Sequence, residues 1–170
     1  GLIDYLLGRE HDSSRFDAID AVLKNDKREI RATSTDSFDA QKAKTIIQDW
    51  LTRWPDIKGM VGLFAHEPPV ILDAVRSAGR LDEIKIVGFD ENEGTLKGIQ
   101  EGSVHGTVVQ NPYEYGRQSI ELLAKLVAEK DDAKRKQLLP ENGVLIVPAR
   151  QIRKDNVEAF WTDLKQKLAK

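Results

Sequence analysis

At 170 residues with 40% apolar composition the chain is long enough to bury a sizeable core, and 26 basic against 28 acidic residues leave a formal net charge of −2. Lysines and glutamates are interspersed, so there is no basic stripe, which excludes broad contact with nucleic-acid phosphates. The absence of cysteine excludes disulfides, thiolate chemistry and Cys-ligated zinc.

The chain alternates short β-rich runs with amphipathic helical patterns. "LIDYLLG" (2–8) reads as a first strand, and Phe16, Ile19, Val22 and Leu23 as the stripe of a first helix. A weaker strand at "EIRATS" (29–34) precedes a longer stripe of Ala43, Ile46, Ile47, Trp50, Leu51 and Trp54, stopped by Pro55. Trp50 and Trp54 share that stripe, which makes them core rather than a platform for stacking sugars. "IKGMVGLF" (57–64) is followed by the helix of Val70, Ala74, Val75 and Ala78, closed by Gly79. Further strands are expected at "IKIVGF" (84–89), "VHGTVVQ" (104–110) and "GVLIVPA" (143–149), with a helix from about Pro112 to Lys130 between the last two. Val157, Phe160, Trp161, Leu164 and Leu168 form the final helix, with Asp155 and Glu158 at capping-box spacing. Most of the strands are too apolar for a sheet wetted on one face. The prediction is therefore an α/β fold, a mainly parallel sheet with helices on both faces.

In such folds ligands sit outside the carboxyl ends of the strands. There stand Arg15, after "GREHDSS"; His66 and Glu67, in "AHEPP"; Asp90, where "VGF" stops abruptly; and Gln110. A guanidinium fork, two carboxylates and a carboxamide can donate to and accept from several vicinal hydroxyls, which suits a neutral polyol. Each residue also has a local reading. Arg15 can pair with Asp12 or Asp17, Asp90 can cap the helix of Thr95, Leu96 and Ile99, Gln110 can simply end a strand before Pro112, and Glu67 can be a first-turn carboxylate favoured by the helix dipole. His66 reads as an ordinary solvated loop residue.

The segments "SSRFDAIDAVLK", "PDIKGMVGLFAHEPPVILDAVRSAG", "IKIVGFDENEGTLKGIQEGSVHGTVVQNPYEYGRQSI" and "VPARQIRKDNVEAF" resemble successive parts of type I periplasmic sugar-binding proteins, the ribose-binding-like receptors of ABC importers. The run from "VGFD" to "GTVVQNPYEYG" is the most specific. The resemblance implies two α/β lobes joined by three crossovers, with only the second half matched here. On that reading, residues 1–110 form the C-terminal sugar-binding lobe, incomplete at its start. Residues 111–142 form a crossover and a helix of the N-terminal lobe, and 143–170 the final strand and C-terminal helix. It also implies that Arg15, Asp90 and Gln110 contact sugar hydroxyls. Glu67 stands where the family usually has Asn or Asp, a departure that bears on which sugar is bound. The implied ligand is a monosaccharide or related polyol, bound without cofactor or chemistry. The implied partners are an ABC permease and the missing N-terminal lobe or a second chain, in the periplasm or outside the cell.

Two other classes share parts of this pattern. The effector-binding domain of a LacI-type repressor has the same fold, but the tail "IRKDNVEAFWTDLKQKLAK" resembles the terminal helix of transport receptors. A glycosidase would need Glu67 and Asp90 as its carboxylate pair. No metal-ligand spacing involves His11, His66 or His105, and no G-x-S-x-G elbow or phosphate-cradling glycine loop follows any strand.

Overall fold

The computed structural model describes residues 5–7 and 13–169. Its elements, in chain order, are β1 (Tyr5–Leu7), α1 (Ser13–Asn25), β2 (Ala32–Ser34), α2 (Ala40–Arg53), β3 (Gly59–Gly62), α3 (Glu67–Ser77), β4 (Lys85–Phe89), α4 (Glu93–Glu101), β5 (Gly106–Val109), α5 (Pro112–Ala128), α6 (Asp132–Gln137), a single 3-10 turn (Glu141–Gly143), β6 (Arg150–Ile152) and α7 (Val157–Leu168). They fall into two compact units, one built by the residues up to Val108 together with those from Gln151 onward, the other by Val109–Arg150.

The strands form one six-stranded sheet in the order β2-β1-β3-β4-β5-β6, and every pair from β2 to β5 is parallel. The predicted α/β fold with a mainly parallel sheet is therefore present. Because β2 lies on one side of β1 and β3 on the other, the chain reverses its direction of winding between β1 and β3. Such a switch point is where the loops at the carboxyl edge part and leave a crevice.

Alternation along the strands sorts the core into two layers. Val61, Val87, Leu63 and Phe89 pack with Phe16 and Ile19 of α1. On the other face Met60 and Ile86 are fully buried, as are Ile47 of α2 and Ile71 of α3. Gly62 and Gly88 belong to this second face, and a Cβ on either would stand 2.8 Å from Glu67 Cβ and 2.5 Å from Pro68 Cγ respectively. Glycine at these two strand positions lets the start of α3 settle directly on the sheet. Local signals set the helix ends. Asp39 caps α2 by accepting from the amides of Gln41 and Lys42, and Gly79 takes a left-handed φ of +69° just after α3. Trp50 and Trp54 meet edge-to-face at 5.7 Å between centroids, with Trp50 buried.

Two local expectations are overturned. The run 143–149 is not a strand: Val144, Leu145 and Ile146 are exposed, and the strand forms at Arg150–Ile152 instead. An apolar run becomes a strand only where another strand completes its hydrogen bonds, and no described strand does so before Arg150. Asp155 does not cap α7. Asn156 occupies that position, and its carboxamide is taken up by the Arg153 amide and the Gln151 carbonyl.

In the second unit α5 begins at Pro112, with Asn111 as its cap, and has no buried residue. Ile120, Leu123 and Val127, one helical stripe, are 66%, 54% and 73% exposed. No helix among the described residues is long and apolar enough to cross a membrane.

Candidate functional site at the carboxyl edge of the sheet

Arg15 lies in the first turn of α1 and reaches across the switch point. Its Nη1 donates to the Leu63 carbonyl just beyond β3 (2.5 Å), and its guanidinium lies 4.7 Å from the centroid of the Phe89 ring at the end of β4. A planar cation stacked on an aromatic face is held flat and in register for bidentate contacts. Its alternative partner Asp12 lies outside the described residues.

Asp90 follows Phe89 directly and carries a left-handed φ of +66°. Its main chain is pinned on both sides: the amide donates to the Val108 carbonyl (2.9 Å) and the carbonyl accepts from the buried Thr107 hydroxyl (2.8 Å). The alternative local role of Asp90, capping the helix of Thr95, Leu96 and Ile99, falls to Asn92, whose Oδ1 accepts from the Gly94 amide at 2.8 Å. Among the described residues the half-buried Asp90 carboxylate has no hydrogen-bond partner, so it is aimed by its backbone and not occupied by the protein. Non-glycine residues in this region of φ/ψ space cost energy, and they persist where surrounding structure over-determines them.

Glu67 departs from the expectation of an open ligand. The close approach of α3 to Gly62 buries its side chain completely. One oxygen, Oε2, accepts from the Phe64 amide at 3.1 Å, while Oε1 is buried with no hydrogen-bond partner among the described residues. Loss of water pushes the carboxyl up to about 8, with the Phe64 backbone opposing the rise, the nearby Asp36 adding to it and the Leu63 backbone opposing it weakly.

His66 is not an ordinary solvated loop residue. Its Nε2 lies 2.8 Å from Oδ2 of Asp36, which follows the end of β2 and is 2% exposed. The other Asp36 oxygen accepts from the Phe38 amide at 2.9 Å, and the Phe38 ring lies 5.2 Å from the imidazole and 5.4 Å from Phe64. Ser37 and Phe38 are consecutive left-handed residues, with φ of +57° and +61°, so the turn after β2 is wound tightly enough to bring Phe38 back over His66. Asp36 escaped the sequence reading. The signal available was a carboxylate stopping the short run "ATST" as Asp90 stops "VGF".

Gln110 stands one residue beyond β5, is exposed, and belongs to the second compact unit, where its carbonyl accepts from Arg150 at 3.5 Å. The first unit thus brings Arg15, Asp36, His66, Glu67 and Asp90 to the carboxyl ends of adjacent parallel strands.

The sequence profile of the periplasmic binding protein domain matches residues 2–131. The chain belongs to the periplasmic binding protein family. It is 30% identical over 112 residues to the ribose import binding protein of Salmonella typhimurium, a match covering 64% of this chain and 36% of that protein. A D-ribose/D-allose-binding protein of Pseudomonas aeruginosa is 25% identical over 133 residues, 78% of this chain and 40% of its own length. Among solved structures, a glucose-galactose binding protein from Geobacillus stearothermophilus superposes with a TM-score of 0.77 at 24% identity, over 91% of this chain and 54% of that one. An ABC transporter solute binding protein from Bacillus halodurans with bound myo-inositol superposes with a TM-score of 0.72 at 22% identity, over 94% and 54%. These structural likenesses establish the fold as that of a type I periplasmic binding protein. The chain spans about half the length of these solved proteins and less than half that of the curated relatives.

Proposed function

We propose that the chain is the sugar-binding half of a solute receptor for an ABC importer, and that the complete protein binds a monosaccharide or related polyol between two lobes without changing it. One observation carries this reading: at the carboxyl edge of the sheet, Asp90 presents an unpartnered carboxylate fixed by a left-handed backbone, beside the phenyl ring on which Arg15 is stacked. A carboxylate acceptor next to a flat multi-donor cation is the chemistry that recognises adjacent hydroxyls. Gln110, where the chain passes into the second unit, is proposed as a third contact. Glu67 is covered by the protein, so we place it behind the crevice, where it holds the 63–67 turn that offers its Leu63 carbonyl to Arg15.

The lobes follow from the same reading. The first unit corresponds to the C-terminal lobe, and α5 to a helix of the N-terminal lobe whose exposed stripe of Ile120, Leu123 and Val127 is covered in the complete protein by that lobe or by a second chain. Closure over the sugar then creates the form that docks on an ABC permease, on the periplasmic or extracellular side of the membrane. The relatives named for ribose, allose, glucose and galactose define the panel for the test. Calorimetry of the intact protein against these sugars and myo-inositol should yield one preferred ligand, weakened by Arg15→Ala and by Asp90→Ala, with the sugar recovered unchanged. Absence of binding across the panel, or conversion of the sugar to product, overturns the proposal.

A further inference from the structure

The first unit holds a cluster distinct from the proposed sugar contacts Arg15, Asp90 and Gln110. Asp36, His66 and Glu67 come from the loops after β2 and β3, and one ligand-capable atom from each lies within 4.8 Å of the other two. Both carboxylates are buried, at 2% and 0% exposure, and among the described residues no lysine or arginine pairs with either. Each has one oxygen fixed by a backbone amide, Asp36 by Phe38 and Glu67 by Phe64. The second Asp36 oxygen then turns to the imidazole, and the second Glu67 oxygen is buried without a hydrogen-bond partner among the described residues. A buried polar atom left unpaired costs about 1–3 kcal/mol, so it persists only where it is needed or where something fills it.

The geometry points to a divalent-cation site of the zinc class, with Asp36, His66 and Glu67 as its three protein ligands. One imidazole nitrogen and two carboxylate oxygens form a borderline donor set that suits Zn²⁺, Co²⁺ or Ni²⁺ better than the all-oxygen set preferred by Mg²⁺ or Ca²⁺. Bonds of about 2.0–2.2 Å to a tetrahedral ion put neighbouring ligand atoms about 3.3 Å apart. The 2.8 Å His66–Asp36 pair therefore opens slightly, and the Glu67 oxygen, within 4.8 Å of both, closes to the same spacing. On binding, the ion takes the place of the proton that burial holds on Glu67, and its charge compensates the two carboxylates, which have no basic partner among the described residues. The backbone amides on the opposite oxygens are the outer contacts that orient ligating carboxylates, and the Phe38 ring restricts the imidazole. With three protein ligands, a coordination position remains open at the carboxyl edge of the sheet. The site stands independently of the sugar reading, because it is assayed without sugar.

The experiment titrates the chelator-dialysed chain with Co²⁺ and reads visible absorption. Intense d–d bands of four-coordinate cobalt, removed stoichiometrically by Zn²⁺, are expected for the native chain and for His105→Ala, whose histidine lies outside the cluster. His66→Ala, Asp36→Asn and Glu67→Gln should each weaken Zn²⁺ binding by at least about tenfold to a hundredfold, the loss typical when even an outer contact that supports a ligand is removed. Circular dichroism identifies any variant that does not fold, and the near-isosteric Glu67→Gln then carries the comparison. A native spectrum identical to that of the aqueous ion overturns the site, as does Zn²⁺ affinity unchanged in folded Glu67→Gln and His66→Ala.

Discussion

Asp90 is the residue at which recognition and stability should part. Its φ of +66° lies where an L side chain crowds the following carbonyl, at about 1–2 kcal/mol for most residues and less for Asp, while glycine adopts it freely. The two hydrogen bonds that hold the conformation, to the Val108 carbonyl and from the Thr107 hydroxyl, use only the Asp90 main chain and are available to alanine and glycine alike. Asp90→Ala therefore keeps the strained backbone, loses the tolerance of Asp for it, and should destabilise. Asp90→Gly removes the strain, but the greater freedom of glycine in the unfolded chain offsets roughly 0.5–1 kcal/mol of the gain. The net expectation is that Asp90→Gly exceeds Asp90→Ala in stability by about 1 kcal/mol, which for a chain of this size is about 2–4 °C in thermal midpoint. Sugar binding should not follow that order. Both variants lack the carboxylate, so both should lose about tenfold to a hundredfold in affinity, corresponding to about 1–3 kcal/mol for hydroxyls left unpaired in a desolvated crevice. Paired thermal melts and calorimetry of the two variants make the comparison. A glycine variant less stable than the alanine variant refutes the strain argument, and a glycine variant with native affinity refutes the contact.

Arg15→Lys should reduce sugar affinity nearly as much as Arg15→Ala, since an ammonium neither stacks on Phe89 nor offers a planar fork; calorimetry showing lysine to be an adequate replacement would remove the geometric argument. Glu67, with its carboxyl raised from 4.5 to about 8, is favoured in its neutral form by the fold, so its contribution is intact below about pH 4.5 and is lost as pH rises through about 8. At 1.36 kcal/mol per unit the loss is at most about 5 kcal/mol, and Glu67→Gln, which never ionises, should gain on the native chain from pH 5 to pH 9 in urea unfolding with a chelator present; a gap that does not change with pH would contradict this. Gly98→Ala should destabilise by about 1–3 kcal/mol, because its Cβ would stand 2.7 Å from Val104 Cγ2 and 2.9 Å from Leu72 Cδ2 in a buried layer, and a denaturation midpoint equal to the native one would show that this layer yields. The exposed α5 stripe should make the 170-residue chain self-associate in size-exclusion runs, and Leu123→Lys with Val127→Glu should shift it toward monomer; a monomeric native chain, or an elution profile unchanged by the pair, would refute the stripe as an adhesive face.

What could be read from the sequence was local. Strand and helix periods are properties of neighbouring residues, so the βα alternation and the parallel sheet were visible in runs such as "IKIVGF" and in the stripe from Ala43 to Trp54. Arg15 and Asp90 stood out for the same reason, since each lies where an element begins or abruptly ends. The run 143–149 shows the limit of that reasoning. Its composition is that of a strand, but pairing requires a second chain segment in register, and the described chain supplies one only from Arg150 onward.

Tertiary structure decided the rest, through groups distant in sequence. The partnership of His66 with Asp36 spans thirty residues and exists because only β1 stands between the two loops' strands in the order β2-β1-β3, which winding back across β1 produces and composition does not encode. Glu67 has the sequence signature of a first-turn carboxylate, and only Gly62 and Gly88 on two adjacent strands draw the start of α3 close enough to the sheet to bury it. The left-handed turn at Asp90 is likewise enforced from outside, by the Val108 carbonyl and the Thr107 hydroxyl of the neighbouring strand β5, so the direction of its carboxylate is set by a strand that follows it in the chain.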